Sequence, residues 1–308
     1  MRILVIGAGA IGGYFGGRLL DAGRDVSFLV RPRRAAQLAE AGLVIESPHG
    51  NLTVPHPPVV LAENLHGPFG LILLSCKAYD LAGAIESSAP AVGPETLILP
   101  LLNGMQHLDV LDARFGAGQV LGGKCVISVT LDDAGVVRQL NPVQSLSYGS
   151  RKPGDPRMAA LQTALAGAGF DALPSEQIVQ EMWEKWIFLA TLAGATCLMR
   201  AAIGAIVAAP GGEQMVLRLL DECSAIAAGH GHAPRGPFLA QIRPMLTAAG
   251  APTTASMLRD IERNARIEAD HIVGDLLRRR PADAAEAAST SVLETVYTHL
   301  KAYEARRG

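Results

Sequence analysis

The sequence predicts an α/β chain: an N-terminal doubly wound parallel sheet over residues 1–174, followed by an all-α domain over 175–308. Three observations carry this. Short apolar runs alternate with helical stretches up to about residue 174. A glycine-rich turn at Gly7–Gly12 directly follows the first of those runs. From Ser175 onward the apolar residues keep helical spacing almost without interruption.

The elements follow in order. Strands are expected at Arg2–Ile6, Val26–Val30, Leu71–Ser75, Leu97–Leu101, Gln119–Val129 and Ser145–Tyr148. Between them, Ile11–Ala22, Arg33–Ala41, Leu81–Ala89 and Met105–Arg114 have helical patterning. Strands alternating with helices form βαβ units and hence a parallel sheet. Leu43–Glu46 and Leu52–Pro55, around His49-Gly50-Asn51, predict a small hairpin inserted after the second helix. In the helical part, breaks fall at Pro210-Gly211-Gly212, Gly229–Pro237, Gly250–Pro252 and near Pro281.

Composition narrows the function classes. The chain has 308 residues with 27 Lys plus Arg against 29 Asp plus Glu, a net charge of −2. That balance offers no basic field, so nucleic acid is not expected as a partner. Apolar residues make up 49% and charged ones 18%, which supports a buried core. Cys76, Cys125, Cys197 and Cys223 lie far apart with no CxxC pair, against a disulfide framework or a zinc site. Residues 1–6 run straight into glycines, unlike a signal peptide. The longest uncharged apolar run of helical character, Trp186–Met199, falls short of a membrane span. A cytoplasmic protein with no metal and no membrane partner is expected.

The sharpest motif is Gly7-Ala8-Gly9-Ala10-Ile11-Gly12, set between a strand and a helix. Gly7 permits the turn, Gly9 lets a pyrophosphate approach the backbone, and Gly12 lets helix pack on strand. The N–H groups that open the helix, around Ala10 and Ile11, then face the phosphates. The end of the second strand chooses between the two dinucleotides. NAD-binding turns usually have an acidic residue about 20 positions on; here the text is Val30-Arg31-Pro32-Arg33-Arg34. Arg31 can meet a 2′-phosphate with a charge-assisted bond, and Arg33 or Arg34 could add to it. NADP(H) is therefore the expected cofactor. Later strand ends carry Ser75-Cys76-Lys77 and Asn103-Gly104, where a doubly wound sheet places its ligands. Lys77 and Asn103 are candidates there, although either position can simply close a turn. No role is assigned to Cys76 beside Lys77, a buried inert thiol being the commoner case.

In the helical part, Lys185 stands at the mouth of the apolar run, as a proton donor or as a surface partner of Glu181. Ser256 and Glu268 belong to two polar-apolar clusters; on one straight helix they would be roughly 18 Å apart. A shared small ligand therefore requires a bend between them. His230-Gly231-His232 lies in a Gly/Pro-rich connection and is expected to be a solvated loop.

Taken in order, GAGAIGG at 7–13, Lys77, LPLLNGM at 99–105, the lysine of WEKW, SMLRDI at 256–261 and RIEADHIVG at 266–274 make the chain resemble the ketopantoate reductase (2-dehydropantoate 2-reductase) family over nearly its whole length. The resemblance implies an N-terminal Rossmann domain that binds NADPH and a helical domain that closes over a 2-oxo acid, as in pantothenate biosynthesis. It implies Lys185 as the catalytic lysine that protonates the substrate carbonyl oxygen, and Glu268 as the glutamate contacting cofactor and substrate. By the same resemblance Asn103 helps hold nicotinamide and substrate, Lys77 contacts the cofactor, and Ser256 binds the substrate carboxylate.

The chain departs from the family at the substrate end. Asparagines usually stand four and eight residues after the lysine; here those positions are Leu189 and Ala193. Two amides that would orient a hydroxylated substrate are replaced by apolar groups, which changes what the pocket can discriminate. Reduction of ketopantoate or a related 2-oxo acid is the leading expectation. An opine-type dehydrogenase, or an NADP(H)-binding sensor without turnover, are the rival readings. The helical domain also has apolar surface on which a second copy could pack as a homodimer.

Overall fold

A computed structural model describes residues 1–281 and 291–307. Its strands are β1 (Ile3–Ile6), β2 (Val26–Leu29), β3 (Leu43–Glu46), β4 (Leu52–Val54), β5 (Val59–Val60), β6 (Leu71–Leu74), β7 (Leu97–Pro100), β8 (Gly122–Leu131), β9 (Val137–Gly149) and β10 (Asp171–Pro174). Strands β5-β2-β1-β6-β7 form a parallel sheet in that order. β1, β6 and β7 are buried at every position, as expected of a parallel sheet covered on both faces. This is the Rossmann-like sheet the sequence predicts.

The helices of this part are α1 (Ala10–Asp21), α2 (Pro32–Ala41), α3 (Leu81–Ser88), α4 (Gln106–Phe115) and α5 (Met158–Leu165). The first four begin within a residue or so of their sequence expectation, α5 has no counterpart in it, and the hairpin β3–β4 forms antiparallel with Leu43 opposite Val54.

The later strands differ from expectation. The hairpin does not stay a small insertion: β3 pairs with β9, and β10-β9-β3-β4 form a second sheet that β8 joins through β9. The expected strand Ser145–Tyr148 is the end of the much longer β9, and Gln119–Val129 is shifted to Gly122–Leu131. Helix α1 lies against both sheets, and its glycine run makes that contact close. A Cβ at Gly16 would stand 2.5 Å from the Phe28 ring of the first sheet, and one at Gly17 2.6 Å from Ile45 of the second. The Tyr14 hydroxyl, on the same helix, donates to the side-chain amide oxygen of Gln139 at 2.9 Å and also meets that of Gln144, so two buried polar side chains of β9 are satisfied.

The chain divides into two compact units, one of 1–102 and 107–179, the other of 103–106 and the residues from Gln180 on. Helices of the second unit are α6 (Ile178–Met199), α7 (Ile203–Ala208), α8 (Gly212–Gly229), α9 (Gly236–Leu246), α10 (Ser256–Glu262), a π turn over Asp270–Gly274 running into α11 (Asp275–Arg278), and α12 (Val292–Arg307). The expected break after α8 falls at residues 230–235. α6 and α8 approach closely where Gly194 faces Leu219. Glu222 on α8 accepts the backbone N–H groups of Val292 and Leu293, capping α12 from outside the helix. Among the described residues, no helix is long and apolar enough to cross a membrane.

Candidate active site

In the first unit the glycine turn is set by packing. Gly7 has φ +90°, the left-handed region that glycine tolerates. At Gly12 a Cβ would collide with the Gly7 carbonyl oxygen and with Ser75 Oγ, so helix and turn approach only because the side chain is absent. Ser75 Oγ donates to the Ile6 carbonyl at 2.8 Å, which ties the end of β6 to the turn. A Cβ at Gly9 would meet nothing within 4 Å, and no side chain caps the first turn of α1. An open glycine beneath uncapped helix N–H groups around Ala10 and Ile11 fits a pyrophosphate.

Arg31 and Arg34 play different parts from those expected of a basic cluster. Arg31 stands at the N-cap of α2 and is exposed; its Nη2 donates to Asp80 Oδ1 at 2.8 Å. The hydrogen bond and charge of Asp80 hold the guanidinium above its ordinary value. Arg34, by contrast, donates from Nε to the Ala8 carbonyl at 2.9 Å and from its terminal nitrogens to the Gly135 carbonyl. Burial lowers its guanidinium from the ordinary value. Arg34 therefore braces the glycine turn, a structural part that the sequence expectation of a phosphate contact does not include. Arg33 and Lys77 are exposed, Lys77 in the turn after β6.

In the second unit, Lys185 sits on α6, with Leu189 and Ala193 one and two turns on along the same stripe. Lys185 and Leu189 are half-buried and Ala193 is buried. The neighbours of Lys185 fix the helix. Trp186 Nε1 donates to the Ile272 carbonyl at 2.9 Å. Glu184 is almost wholly buried and accepts from Arg235 Nε at 2.8 Å, Arg235 Nη2 at 2.6 Å and the Arg235 backbone N–H at 3.0 Å. Burial alone would raise this carboxyl; the Arg235 bonds outweigh it and hold it below the usual range.

The other candidates, Asn103 and Glu268, meet the π turn at His271. His271, buried at 6% exposure, donates from its ring to the Asn103 carbonyl, and the neighbouring Gly104 (φ +79°) packs on the same ring. Burial pushes the His271 imidazole down, while Glu268, one turn earlier, pulls it back up with its charge. Asn103, Glu268 and the Lys185 turn of α6 are thereby linked through His271, Ile272 and Trp186. Sequence reasoning missed His271, Asp80 and the bracing role of Arg34; each acts through a partner distant in sequence.

Ser256 opens α10 and is exposed. The bend that a ligand shared with Glu268 requires is present. α10 ends at Glu262, Asn264 takes φ +52°, and the N–H groups of Asn264 and Ala265 donate to the Ile261 and Asp260 carbonyls. That is the Schellman pattern of a helix stop.

His230 and His232 lie in the mostly exposed connection between α8 and α9. Both rings stack on Trp183, each with centroids 5.5 Å away and interplanar angles of 19° and 17°. The expected exposed loop is thus tied to α6 at its two imidazoles. Among the described residues, no group of three or more metal-ligating side chains occurs.

The family model described as ketopantoate reductase PanE/ApbA matches residues 3–152, and its C-terminal counterpart matches 177–304. The chain is 36% identical over its full length to the uncharacterized oxidoreductase YkpB of Bacillus subtilis, which it also covers completely. A solved 2-dehydropantoate 2-reductase from Geobacter metallireducens superposes with a TM-score of 0.86 at 27% identity, over 98% of this chain and 99% of that one. D-mandelate dehydrogenase, solved with NADH and anilino(oxo)acetate, shares the fold with a TM-score of 0.86 at 22% identity, over 100% of this chain and 99% of that one. Family models that together span most of the chain, and a full-length relative at 36% identity, make this chain an oxidoreductase of the ketopantoate reductase family.

Proposed function

We propose that the protein reduces a 2-oxo acid to the 2-hydroxy acid with NADPH, on a substrate whose side chain is more apolar than that of ketopantoate. The observation that carries the reading is that the His271–Asn103 and Trp186–Ile272 bonds tie Asn103 and the Lys185 turn to one π turn, whose Ile272 N–H is bonded to the Glu268 carbonyl. The bound dinucleotide supplies the hydride. The uncapped turn Gly7–Gly12 binds its pyrophosphate, Arg31 meets the 2′-phosphate, and Lys77 adds a cation nearby. Lys185, as an ammonium, stabilises the charge that develops on the carbonyl oxygen and delivers the proton there. Asn103 orients the carbonyl, Ser256 holds the carboxylate, and Glu268 fixes the lysine or a hydroxyl of the substrate. Leu189 and Ala193 face the rest of the substrate with hydrocarbon. A pocket of that kind gains little from a substrate hydroxyl.

The test is NADPH oxidation followed at 340 nm with a panel of 2-oxo acids, ketopantoate among them. The reading expects a kcat/KM on the order of 10⁴ M⁻¹s⁻¹ or more for at least one branched or aromatic oxo acid. No oxidation with any of them, while NADPH still binds, would leave the dinucleotide site standing and remove the enzymatic reading in favour of a sensor.

A further inference from the structure

Arg31 is exposed over 76% of its side chain, yet its guanidinium is engaged by Asp80 at 2.8 Å. The two residues come from the loops after β2 and β6, the strands that flank β1 in the sheet. The acidic group that dinucleotide-binding folds usually carry beyond the second strand is missing from residues 30–34. The loop after β6 supplies one to the same place. Tyr79, beside it and 36% exposed, also acts on Arg31.

We propose that Asp80 is the residue that sets the dinucleotide preference, lowering the advantage Arg31 gives to NADPH so that the chain accepts NADH as well. The inference rests on reading Gly7–Gly12 as a dinucleotide site. A ribose 2′-hydroxyl can donate to the Asp80 carboxylate and accept from Arg31 with the pair intact. A 2′-phosphate brings up to two negative charges to the same guanidinium, and must share it with a carboxylate of like sign. An exposed ion pair is held weakly, so the phosphate can open it. Both cofactors are then admitted.

The experiment titrates the full-length protein without cofactor with NADPH and with NADH by calorimetry, for the wild type, Asp80→Asn and Arg31→Ala. Thermal midpoints of the free proteins show that each variant is folded. The wild type is expected to bind the two dinucleotides with Kd values within about tenfold of each other, a gap of one decade. Asp80→Asn is expected to move the ratio about tenfold toward NADPH, since one like charge is removed while a hydrogen-bonding group remains. Arg31→Ala is expected to move it toward NADH. A folded Asp80→Asn protein whose ratio changes by less than about twofold overturns the inference but not the site. Failure of the wild type to bind either dinucleotide overturns both.

Discussion

The indole N–H of Trp186 donates to the carbonyl oxygen of Ile272 at 2.9 Å, so the residue after Lys185 is bonded to the π turn that carries His271. A π turn widens the helix by one residue and is often found where a side chain must be aimed. Trp186→Phe keeps most of the ring volume and removes the donor, so the Ile272 carbonyl loses its bond to α6. The expected loss is about 1–3 kcal/mol of stability, read from thermal or urea denaturation. An unchanged midpoint would show that the bond is not what holds the turn.

Lys185→Ala is expected to lower kcat by about 10²–10⁴-fold, the range for losing a proton donor at the reacting oxygen. The affinity for the dinucleotide should stay put, because the Gly7–Gly12 turn belongs to the other unit. Stopped-flow turnover and calorimetry on the same preparation separate the two effects. A variant with full turnover would remove Lys185 from the chemistry.

Two glycines of one turn are expected to respond differently. Gly12→Ala meets the Gly7 carbonyl and should unfold or strongly destabilise the first unit. Gly9→Ala meets nothing and should melt like the wild type, while its methyl intrudes on the pyrophosphate and weakens dinucleotide binding. Equal melting of both variants would contradict the packing described here.

Acid should loosen the protein through its histidines. Burial, then Glu268, the Asn103 carbonyl, Asp275 and Arg278, act on His271, and burial wins: its folded value lies below the ordinary 6.5. His232 is lowered as well, by burial and by His230. The unfolded chain thus binds these protons more readily than the folded one. Their contribution is intact above pH 6.5 and is lost as the pH falls through the folded values. Midpoints measured from pH 7.5 to 5 should decline, and His271→Gln, which keeps an N–H for Asn103, should flatten the slope. A midpoint that climbs on acidification would reverse the sign of this account.

Leu189→Asn restores an amide one turn after Lys185, at a half-buried position. It is expected to raise kcat/KM for a hydroxylated 2-oxo acid about tenfold relative to an apolar one, the scale of one substrate-directed hydrogen bond. Competition between two oxo acids in one assay reads the ratio directly.

The parallel sheet was readable because each of its strands is a short apolar run ended by a turn, and the glycine motif because its demands are on the backbone alone. β9 was not readable as a whole. Four positions in its middle are exposed, and the buried amides Gln139 and Gln144 look like loop residues until the Tyr14 hydroxyl is seen to meet them. The same limit applies at the site. Lys185, Asn103 and Glu268 stand in recognisable motifs, whereas the Arg31–Asp80 pair and the His271–Asn103 bond join segments far apart in sequence. A one-dimensional pattern has no periodicity that reports such a meeting. Arg34 shows the converse: a basic residue in a basic run has its charge spent on the Ala8 and Gly135 carbonyls.

Both tryptophans of the chain, Trp183 and Trp186, lie on α6 within two residues of Lys185. One is stacked with two imidazoles, and the other has the Arg279 guanidinium 5.8 Å from its ring. The tryptophan fluorescence of this protein, excited apart from its tyrosines, therefore originates from the lysine helix alone. Its emission is a built-in optical label: protonation of the stacked histidines, or any shift of α6 when a ligand arrives, can be watched without attaching a dye.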